Sequence, residues 1–431
     1  MRAQMGIKNF DRTRWIALAA SVLIMSTLGL GYVWSLLVEP MIELRGATDA
    51  GMASVYTALT LSGALLTIVG GKCVEKFGST KVIISAIITC LIAHIIFSFG
   101  NGIASFAFAE VVFLSWQQSV VYIAVYNNII KMFPDWKGLA VAIACTGIAV
   151  GGAYLPVVVQ NLIDTVGFDT QFLILGLIVT VVGIISLVFF PDTPNDYVPK
   201  GYEAPDYEEE GEIVDQGKFI QKDWKGMLKD PAFYIIFVAP ILGTSTYMLL
   251  SYQLAWIAQD MLPITAMQSA FLVSGVSIIG IICGVVGPIA DKTSRLVIGI
   301  IVFAIGTICV AGLIMAGNHS VAWFTVCTFG FCFCFGGFAT IHPVIVCDLF
   351  GSKYFGFNYS ICYQSVLIAA AISPWLGVLG GTDAGDYTKT FTVCTIMCAV
   401  GTVLMIILFI MKKNNLEAQI KKTKKAVDQV A

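Results

Sequence analysis

The sequence predicts an all-α membrane protein, with about twelve transmembrane helices arranged as two six-helix bundles. Composition is the first reason, because 58% of the 431 residues are hydrophobic and 12% are charged. Soluble domains carry roughly 25% charged residues. Apolar runs of about 20 residues, long enough to cross a bilayer, recur along the chain. A charged turn between two such runs occurs twice, half a chain apart, which indicates two bundles of like design.

Each apolar run is predicted to be one membrane span, because glycine, proline and charged turns separate it from the next. The spans are predicted at residues 15–39, 51–71, 81–99, 103–131, 138–163, 170–190, 232–259, 266–288, 295–317, 320–347, 354–380 and 388–411.

The spans divide the chain into four predicted parts. These are an N-terminal six-helix bundle (1–190), a linker (191–230), a C-terminal six-helix bundle (231–411) and a basic tail (412–431). Prolines break the start of the linker, and its acidic run 203–215 is expected to be solvated. Phe219–Leu228 is predicted to form a short amphipathic surface helix. The tail is expected to lie near anionic lipid headgroups.

The distribution of basic residues predicts the orientation. Of the 25 lysines and arginines, all but Arg45 and Lys389 are predicted on one side of the membrane. That side is cytoplasmic by the positive-inside bias, so both termini are predicted to be cytoplasmic. The expected location is the cell (inner) membrane. Residues 1–14 are polar and basic and the run after them is long enough to span, so no cleaved leader is expected.

The repeated turn is predicted to be a gating motif. Each copy reads glycine, three residues, an acid, a lysine and then a further base, and glycine lets helices approach closely. An ordinary basic turn is the alternative, which two matching copies disfavour. The residues are Gly71, Glu75, Lys76 and Gly78 in the first copy and Gly287, Asp291, Lys292 and Arg295 in the second.

The two halves match beyond this turn. Phe133–Gly138 parallels Phe350–Gly356, and Pro156 and Pro374 follow these segments at the same distance. A parallel six-plus-six repeat follows. With the repeated turns, the chain resembles the major facilitator superfamily, whose characteristic loop these turns match. Glu75 stands where the family usually has aspartate, and Thr293-Ser294 replaces the usual glycine in the second copy.

A narrower resemblance begins in the first span. The run Gly29–Ser35 followed by Pro40, and the glycines before Pro156 in the fifth span, are similar to the oxalate/formate antiporter family, relatives of the monocarboxylate transporters. The resemblance implies a secondary transporter that works by alternating access. It implies one chain, a small-molecule substrate held near the bilayer midplane between the halves, and protons or a counter-anion as the coupled species.

Glu110 is the first candidate for proton coupling. It is the only formally charged residue that lies well inside a predicted span, on the order of 10 Å deep. A lone carboxyl group in the membrane is costly, so it is a functional candidate, although a structural acid bonded to a neighbouring helix is the alternative. His342, followed by Pro343, is the second candidate for proton coupling and also for substrate binding. Its alternative is a bond to a carbonyl freed by the proline.

Polar and aromatic residues on the spans expected to line the cavity are the candidate substrate contacts. Each could equally be ordinary packing. They are Tyr32, Ser35, Gln117, Tyr252, Trp256, Ser274, Ser277, His342 and Gln364.

The interior of the predicted spans lacks lysine and arginine, where the resembled family typically sets a base against its anion. A monocarboxylate is therefore expected rather than a dicarboxylate. A neutral, aromatic or drug-like solute is the alternative, and a membrane sensor a remote one. The chain has no phosphate-binding loop, metal cluster or nucleophile elbow, so no cofactor, metal, nucleic-acid partner or enzymatic activity is expected.

Overall fold

The computed structural model describes residues 10–194, 197–202, 207–209, 219–316, 320–379 and 386–430. Within these ranges the side chains of residues 207–209, 219–220 and 414–430, and of some single helical positions, are outside the description. In the described chain, 12 helices are long and apolar enough to cross a membrane. The predicted all-α membrane fold is confirmed.

The chain forms two compact units. The first contains Met1–Glu203 together with Phe355–Ile361, and the second contains Ala204–Tyr354 and Cys362–Ala431. By its contacts, the short segment Phe355–Ile361 therefore belongs to the first unit, although the rest of the chain after Glu203 belongs to the second. The boundaries at 190, 230 and 411 stay a prediction.

The first unit contains spans 1 to 6. Two of them are not continuous α-helices: span 1 has a 3₁₀ segment and span 4 a π-helical one. Span 1 is Phe10–Ser26, the 3₁₀ segment Thr27–Val33 and Trp34–Arg45; span 2 is Asp49–Phe77; span 3 is Ser79–Phe99; span 4 is Ile103–Phe108, the π-helical turn Ala109–Leu114 and Ser115–Met132; span 5 is Lys137–Val166; span 6 is Phe168–Val188.

The second unit contains spans 7 to 12, and span 11 begins in the first unit. Two short strands and a short helix precede span 7. The strands are Tyr207–Glu209 and Phe219–Gln221, paired parallel, and the helix is Trp224–Lys229. Span 7 is Pro231–Met261; span 8 is Ala266–Ile282, the 3₁₀ segment Cys283–Val285 and Val286–Lys292; span 9 is Arg295–Ala316; span 10 is Val321–Phe350; span 11 is Phe355–Cys362 and Gln364–Val378; span 12 is Thr388–Val430.

The linker corrects one prediction. Phe219–Leu228 is not one helix, because Phe219–Gln221 is a strand and the helix begins at Trp224. Asp223 sets this start: its side chain accepts a hydrogen bond from Gly226 N at 2.8 Å, which satisfies a helix N–H that has no partner in the helix. Most of the acidic run 203–215 lies outside the described residues.

Spans 1 and 5 pack backbone against backbone in the first unit. A Cβ atom on Gly147 would lie 2.7 Å from the Cβ of Met25, and one on Gly29 would lie 2.6 Å from the Cα of Gly151. A Cβ atom on Gly151 would overlap the carbonyl oxygen of Ser26. The glycines of span 5 are therefore required for the approach of the two helices.

An ion pair closes one end of the first unit. The guanidinium of Arg14 binds Asp135 through two hydrogen bonds of 2.7 and 2.8 Å and lies 4.7 Å from the ring of Phe133. This bidentate geometry is the strong form of a charged hydrogen bond. It joins the start of span 1 to the turn between spans 4 and 5. The repetition of this turn in the second half of the sequence indicates its importance but not its partner.

The start of the linker lies against the same end of the unit. The amide of Asn128 donates to Pro191 O at 2.8 Å, and Asp192 accepts from the backbone N–H of Thr80 at 2.9 Å, which caps span 3. Tyr197 donates to Asp11 at 2.5 Å. Burial, and then this bond to a carboxylate, raise the pKa of the Tyr197 hydroxyl, which stays protonated at neutral pH.

The second unit is held by an aromatic cluster. The ring of Phe335 lies 4.9 Å from that of Phe303 and 4.6 Å from that of Phe331. A Cβ atom on Gly306 would lie 2.7 Å from the Phe335 ring, so glycine makes room for it. All twelve cysteines are free, and the buried ones pack inside spans as small apolar side chains.

Candidate functional site

Glu110 lies in the π-helical turn of span 4 and is 3% exposed. A π-helical turn holds one extra residue per turn and leaves a carbonyl in need of another partner, and such turns are frequent at functional sites. Here the hydroxyl of Ser62 in span 2 donates to Val111 O at 2.7 Å, and Ser115 donates to the same oxygen. The two serines stabilise the irregular turn that carries the carboxyl group.

The surroundings of Glu110 are apolar. The buried cluster around this part of the unit includes Cys90, Ala93 and Ala109, and Glu110 lies within electrostatic reach of the Cys90 thiol. Within the described chain, Oε2 of Glu110 is buried and has no hydrogen-bond partner. A carboxyl group in this position is more stable protonated, because the negative charge of its ionised form would be buried without a partner.

His94 belongs to the same region but does not pair with Glu110. Its Nδ1 lies 2.8 Å from the carbonyl oxygen of Cys90, one helical turn earlier in span 3, and its ring packs 5.6 Å from that of Phe97. His94 is 2% exposed. Its contacts are those of a packed histidine whose ring is oriented by its own helix.

Gln117 is the candidate substrate contact that the structure describes most fully in span 4. Its Nε2 donates to the hydroxyl of Thr27, at the start of the 3₁₀ segment of span 1, at 2.9 Å. Successive residues of an α-helix are 100° apart around its axis, but this spacing does not hold through the π-helical turn. The faces of Glu110 and Gln117 therefore cannot be derived by counting residues along span 4. Asn128, further along the same span, binds the linker.

Six of the candidate substrate contacts have side chains outside the described residues. Their backbone is described: in span 1, one lies in the 3₁₀ segment and one lies two residues after it. The six are Tyr32, Ser35, Tyr252, Trp256, Ser274 and Ser277.

The two remaining candidates lie in the second unit. His342 is 3% exposed, and its ring is hydrogen-bonded to the backbone of Ile236 in span 7. Its partner is therefore a neighbouring span rather than a carbonyl freed by Pro343 in its own helix. Gln364 is half-buried and begins the second helix of span 11, directly after the break at Tyr363.

The first repeated turn binds the start of span 11 within the first unit. Oε1 of Glu75 accepts a hydrogen bond from the backbone N–H of Phe357 at 3.1 Å, and Nζ of Lys72 lies 4.8 Å from the Phe357 ring. A Cβ atom on Gly71 would lie 2.7 Å from Gly356 O. Glu75 thus places a negative charge at a helix N-terminus, where the unpaired N–H groups and the helix dipole favour it.

The other residues of the first turn end span 2. Gly78 has φ +86°, a conformation that glycine adopts without strain, and its N–H donates to Val74 O at 3.0 Å. Nζ of Lys76 lies 5.3 Å from the ring of Phe77. Of the four predicted residues, Gly71 and Glu75 are the ones that contact span 11.

The acid of the second repeated turn has a different partner. Asp291 accepts from Arg295 at 2.7 Å, and Arg295 also binds Asp348 of span 10 at 2.5 Å. Gly287 is buried and Lys292 is exposed. The two copies are alike in sequence, but one acid binds a backbone N–H and the other a guanidinium. Sequence reasoning missed Asp348, whose only signal was an acid near the end of span 10.

Replacing Glu75 by leucine is expected to loosen the start of span 11, because it removes the acceptor of the Phe357 N–H. Cys73, partly buried in the same turn, reports this. In a variant with Cys73 as its one cysteine, Glu75→Leu should raise the rate of maleimide labelling several-fold. Glu75→Gln keeps an acceptor oxygen and is the matched control. Equal labelling rates in both variants would show that the contact does not hold this segment.

Comparison with known proteins agrees with this architecture. The profile described as Major Facilitator Superfamily matches residues 19–341. The chain belongs to the Major Facilitator Superfamily. As in that superfamily, it is a multi-pass membrane protein and a secondary transporter that works by alternating access, rather than an enzyme.

Two relatives align with most of this chain. It is 24% identical over 383 residues to the oxalate:formate antiporter of Oxalobacter formigenes, covering 86% of each chain. It is 23% identical over 360 residues to the MFS-type transporter YhjX of Escherichia coli (strain K12), covering 82% of this chain and 85% of that protein.

Among solved structures, a bacterial homologue of the iron transporter ferroportin in an outward-facing state is similar in fold. The TM-score is 0.71 at 15% identity, over 92% of this chain and 99% of that one. This likeness concerns the fold alone. The described residues of the present chain contain no group of three His, Cys, Asp or Glu side chains that could hold a metal ion.

Proposed function

We propose that the protein moves a small monocarboxylic acid across the cell (inner) membrane, coupled to protons or in exchange for another anion. Glu110 carries the proposal. It is a buried carboxyl group in an apolar setting, with one oxygen unpaired among the described residues, on an irregular turn stabilised by Ser62 and Ser115. Such a group binds and releases a proton as its surroundings change, which is what coupling requires.

The charge of the spans supports a singly charged substrate. In the ranges of the described chain that are long and apolar enough to cross a membrane, every lysine and arginine lies within about two helical turns of an end. One of them, Arg14, is already paired with Asp135. Two full negative charges would have no fixed positive partner at mid-membrane, whereas one carboxylate can be held by amide and hydroxyl donors. The relative named for oxalate and formate supports the carboxylate class.

In the proposed mechanism, the repeated turns control the change of access. Glu75 and Gly71 hold the start of span 11 when the binding site is closed on that side, and release it when the site opens there. His342, bonded to the backbone of Ile236, is the second proton-coupling candidate. Both termini and both repeated turns lie on the cytoplasmic side in this proposal, by the bias of basic residues, and the transporter works as one chain in the lipid bilayer.

Uptake in proteoliposomes tests the proposed substrate class. With an inward proton gradient, radiolabelled formate, acetate and lactate are expected to accumulate, and an excess of unlabelled monocarboxylates should suppress the uptake of each. Oxalate and neutral analogues such as acetamide should suppress it much less. Suppression by the neutral analogues alone would favour a transporter of neutral or drug-like solutes instead.

A further inference from the structure

The hydrogen bonds of Thr27 set the orientation of the Gln117 side chain. The Thr27 hydroxyl donates its proton to Ile24 O at 2.7 Å, in its own helix. Thr27 can therefore only accept from Gln117, and Gln117 must turn its NH₂ group toward it, at 2.9 Å. The carboxamide oxygen of Gln117 is left as an acceptor. Its direction is fixed because Thr27 holds the NH₂ group at the other side of the same carboxamide.

The carboxamide oxygen of Gln117 can still accept a hydrogen bond. Gln117 is 2% exposed, and its Oε1 is buried without a hydrogen-bond partner in the described chain. A buried carbonyl oxygen is normally hydrogen-bonded, and an exception needs an explanation. The group that satisfies it must be a donor, such as a hydroxyl. A carboxylate cannot serve, because it only accepts.

The next residue supplies the complementary group. Nε2 of Gln118 is also buried and without a partner in the described residues. The other end of its carboxamide, Oε1, lies 4.0 Å from the position that a Cβ atom would take on Gly31. Thr27 and Gly31 belong to the same 3₁₀ segment of span 1. The two carboxamides thus lie beside this one segment through Nε2 of Gln117 and Oε1 of Gln118, and the atoms without a partner are the acceptor of the first and the donor of the second.

We propose that Gln117 binds a hydroxyl group of the transported acid and Gln118 binds its carboxylate, so that the preferred substrates are small hydroxylated monocarboxylates. The substrate hydroxyl donates to Oε1 of Gln117, and a carboxylate oxygen accepts from Nε2 of Gln118. Thr27 is the positioning residue, because its bond to Gln117 aims the acceptor. This inference rests on the proposed transport of a monocarboxylate and adds which acid is selected.

Matched pairs of acids test the proposal, because the members of each pair differ by one hydroxyl. The pairs are lactate with propionate and glycolate with acetate. A site built to bond a hydroxyl discriminates against the analogue that lacks it. In the wild-type protein, lactate and glycolate should inhibit uptake at concentrations at least about tenfold lower than their partners, since each lost hydrogen bond of this kind changes affinity by about that factor.

Two substitutions should remove this preference. Gln117→Leu removes the acceptor, and Thr27→Val leaves it in place but frees it to rotate. Both should bring the inhibition constants within each pair close together, mainly by weakening the hydroxylated acid. Thr67→Val is the matched control, because Thr67 is a buried threonine of span 2 whose hydroxyl bonds to Gly63 O in its own helix, at 2.7 Å. Its preference should stay that of the wild type.

The outcomes separate this inference from the proposed function. If the wild-type protein takes up none of these acids, either with an inward proton gradient or into vesicles preloaded with a monocarboxylate, the proposed function is wrong. If it takes up acids but the two members of each pair inhibit equally, the proposed binding of a hydroxyl is overturned. The same holds if Thr27→Val and Gln117→Leu keep the wild-type ratio of inhibition constants within each pair while their thermal unfolding is normal. A lower ratio in these variants but not in Thr67→Val supports it.

Discussion

Replacing Glu110 by glutamine is expected to abolish proton-driven accumulation of substrate while leaving the protein folded. Glutamine has nearly the same shape but cannot release a proton, and at neutral charge it is tolerated better than a carboxylate in this apolar cluster. Accumulation driven by a pH gradient in proteoliposomes should fall to the level of empty vesicles. Exchange of labelled for unlabelled substrate, which needs no net proton movement, should persist.

Glu43→Gln is the control for this change. Glu43 is an exposed carboxylate in span 1, so the same substitution there alters the charge without touching a buried group. Its accumulation should match that of the wild-type protein. If Glu110→Gln keeps the full pH dependence of uptake, Glu110 is a structural acid, and His342, the remaining candidate, should be tested by His342→Gln in the same assay.

Replacing Gly151 by alanine is expected to destabilise the first unit strongly. The added methyl group would overlap the carbonyl oxygen of Ser26, and both groups belong to helix backbones that cannot move independently. Overpacking of this kind costs about 1–3 kcal/mol, and more where backbone must shift. The midpoint of thermal unfolding of the purified protein in detergent should fall by several degrees, or the protein should fail to accumulate.

Gly280→Ala is the matched control. Gly280 is also a glycine within a span, but among the described residues no atom beyond its chain neighbours and its own turn of helix lies within 4 Å of its Cβ position. Alanine there should be neutral or slightly stabilising, because it favours helix over the unfolded chain. If both variants unfold at the same temperature as the wild type, spans 1 and 5 can separate without cost, and their close approach does not stabilise the first unit.

The differences between prediction and structure concern contacts, not spans. Glu75 and Asp291 occupy the same position in the repeated turn, yet one binds the Phe357 N–H and the other Arg295. The partner of each acid comes from elsewhere in the chain or from the following helix. Similarly, the predicted helix Phe219–Leu228 is shortened because Asp223 is well placed to cap a later start. The first outcome could not be read from local pattern alone, whereas Asp223 is a local signal for the later start of the helix.

The sequence by itself determined the twelve spans, the duplicated turn and the candidate status of Glu110 and Gln117. These follow from long apolar runs, and from charges and polar groups within them, which are properties of neighbouring residues along the chain. Tertiary structure decided the rest. The π-helical turn around Glu110 depends on Ser62 of another span, and the acceptor of Gln117 is aimed by Thr27 of span 1. Helical register and side-chain direction in a packed bundle depend on which groups other spans present, and one sequence segment does not contain that information.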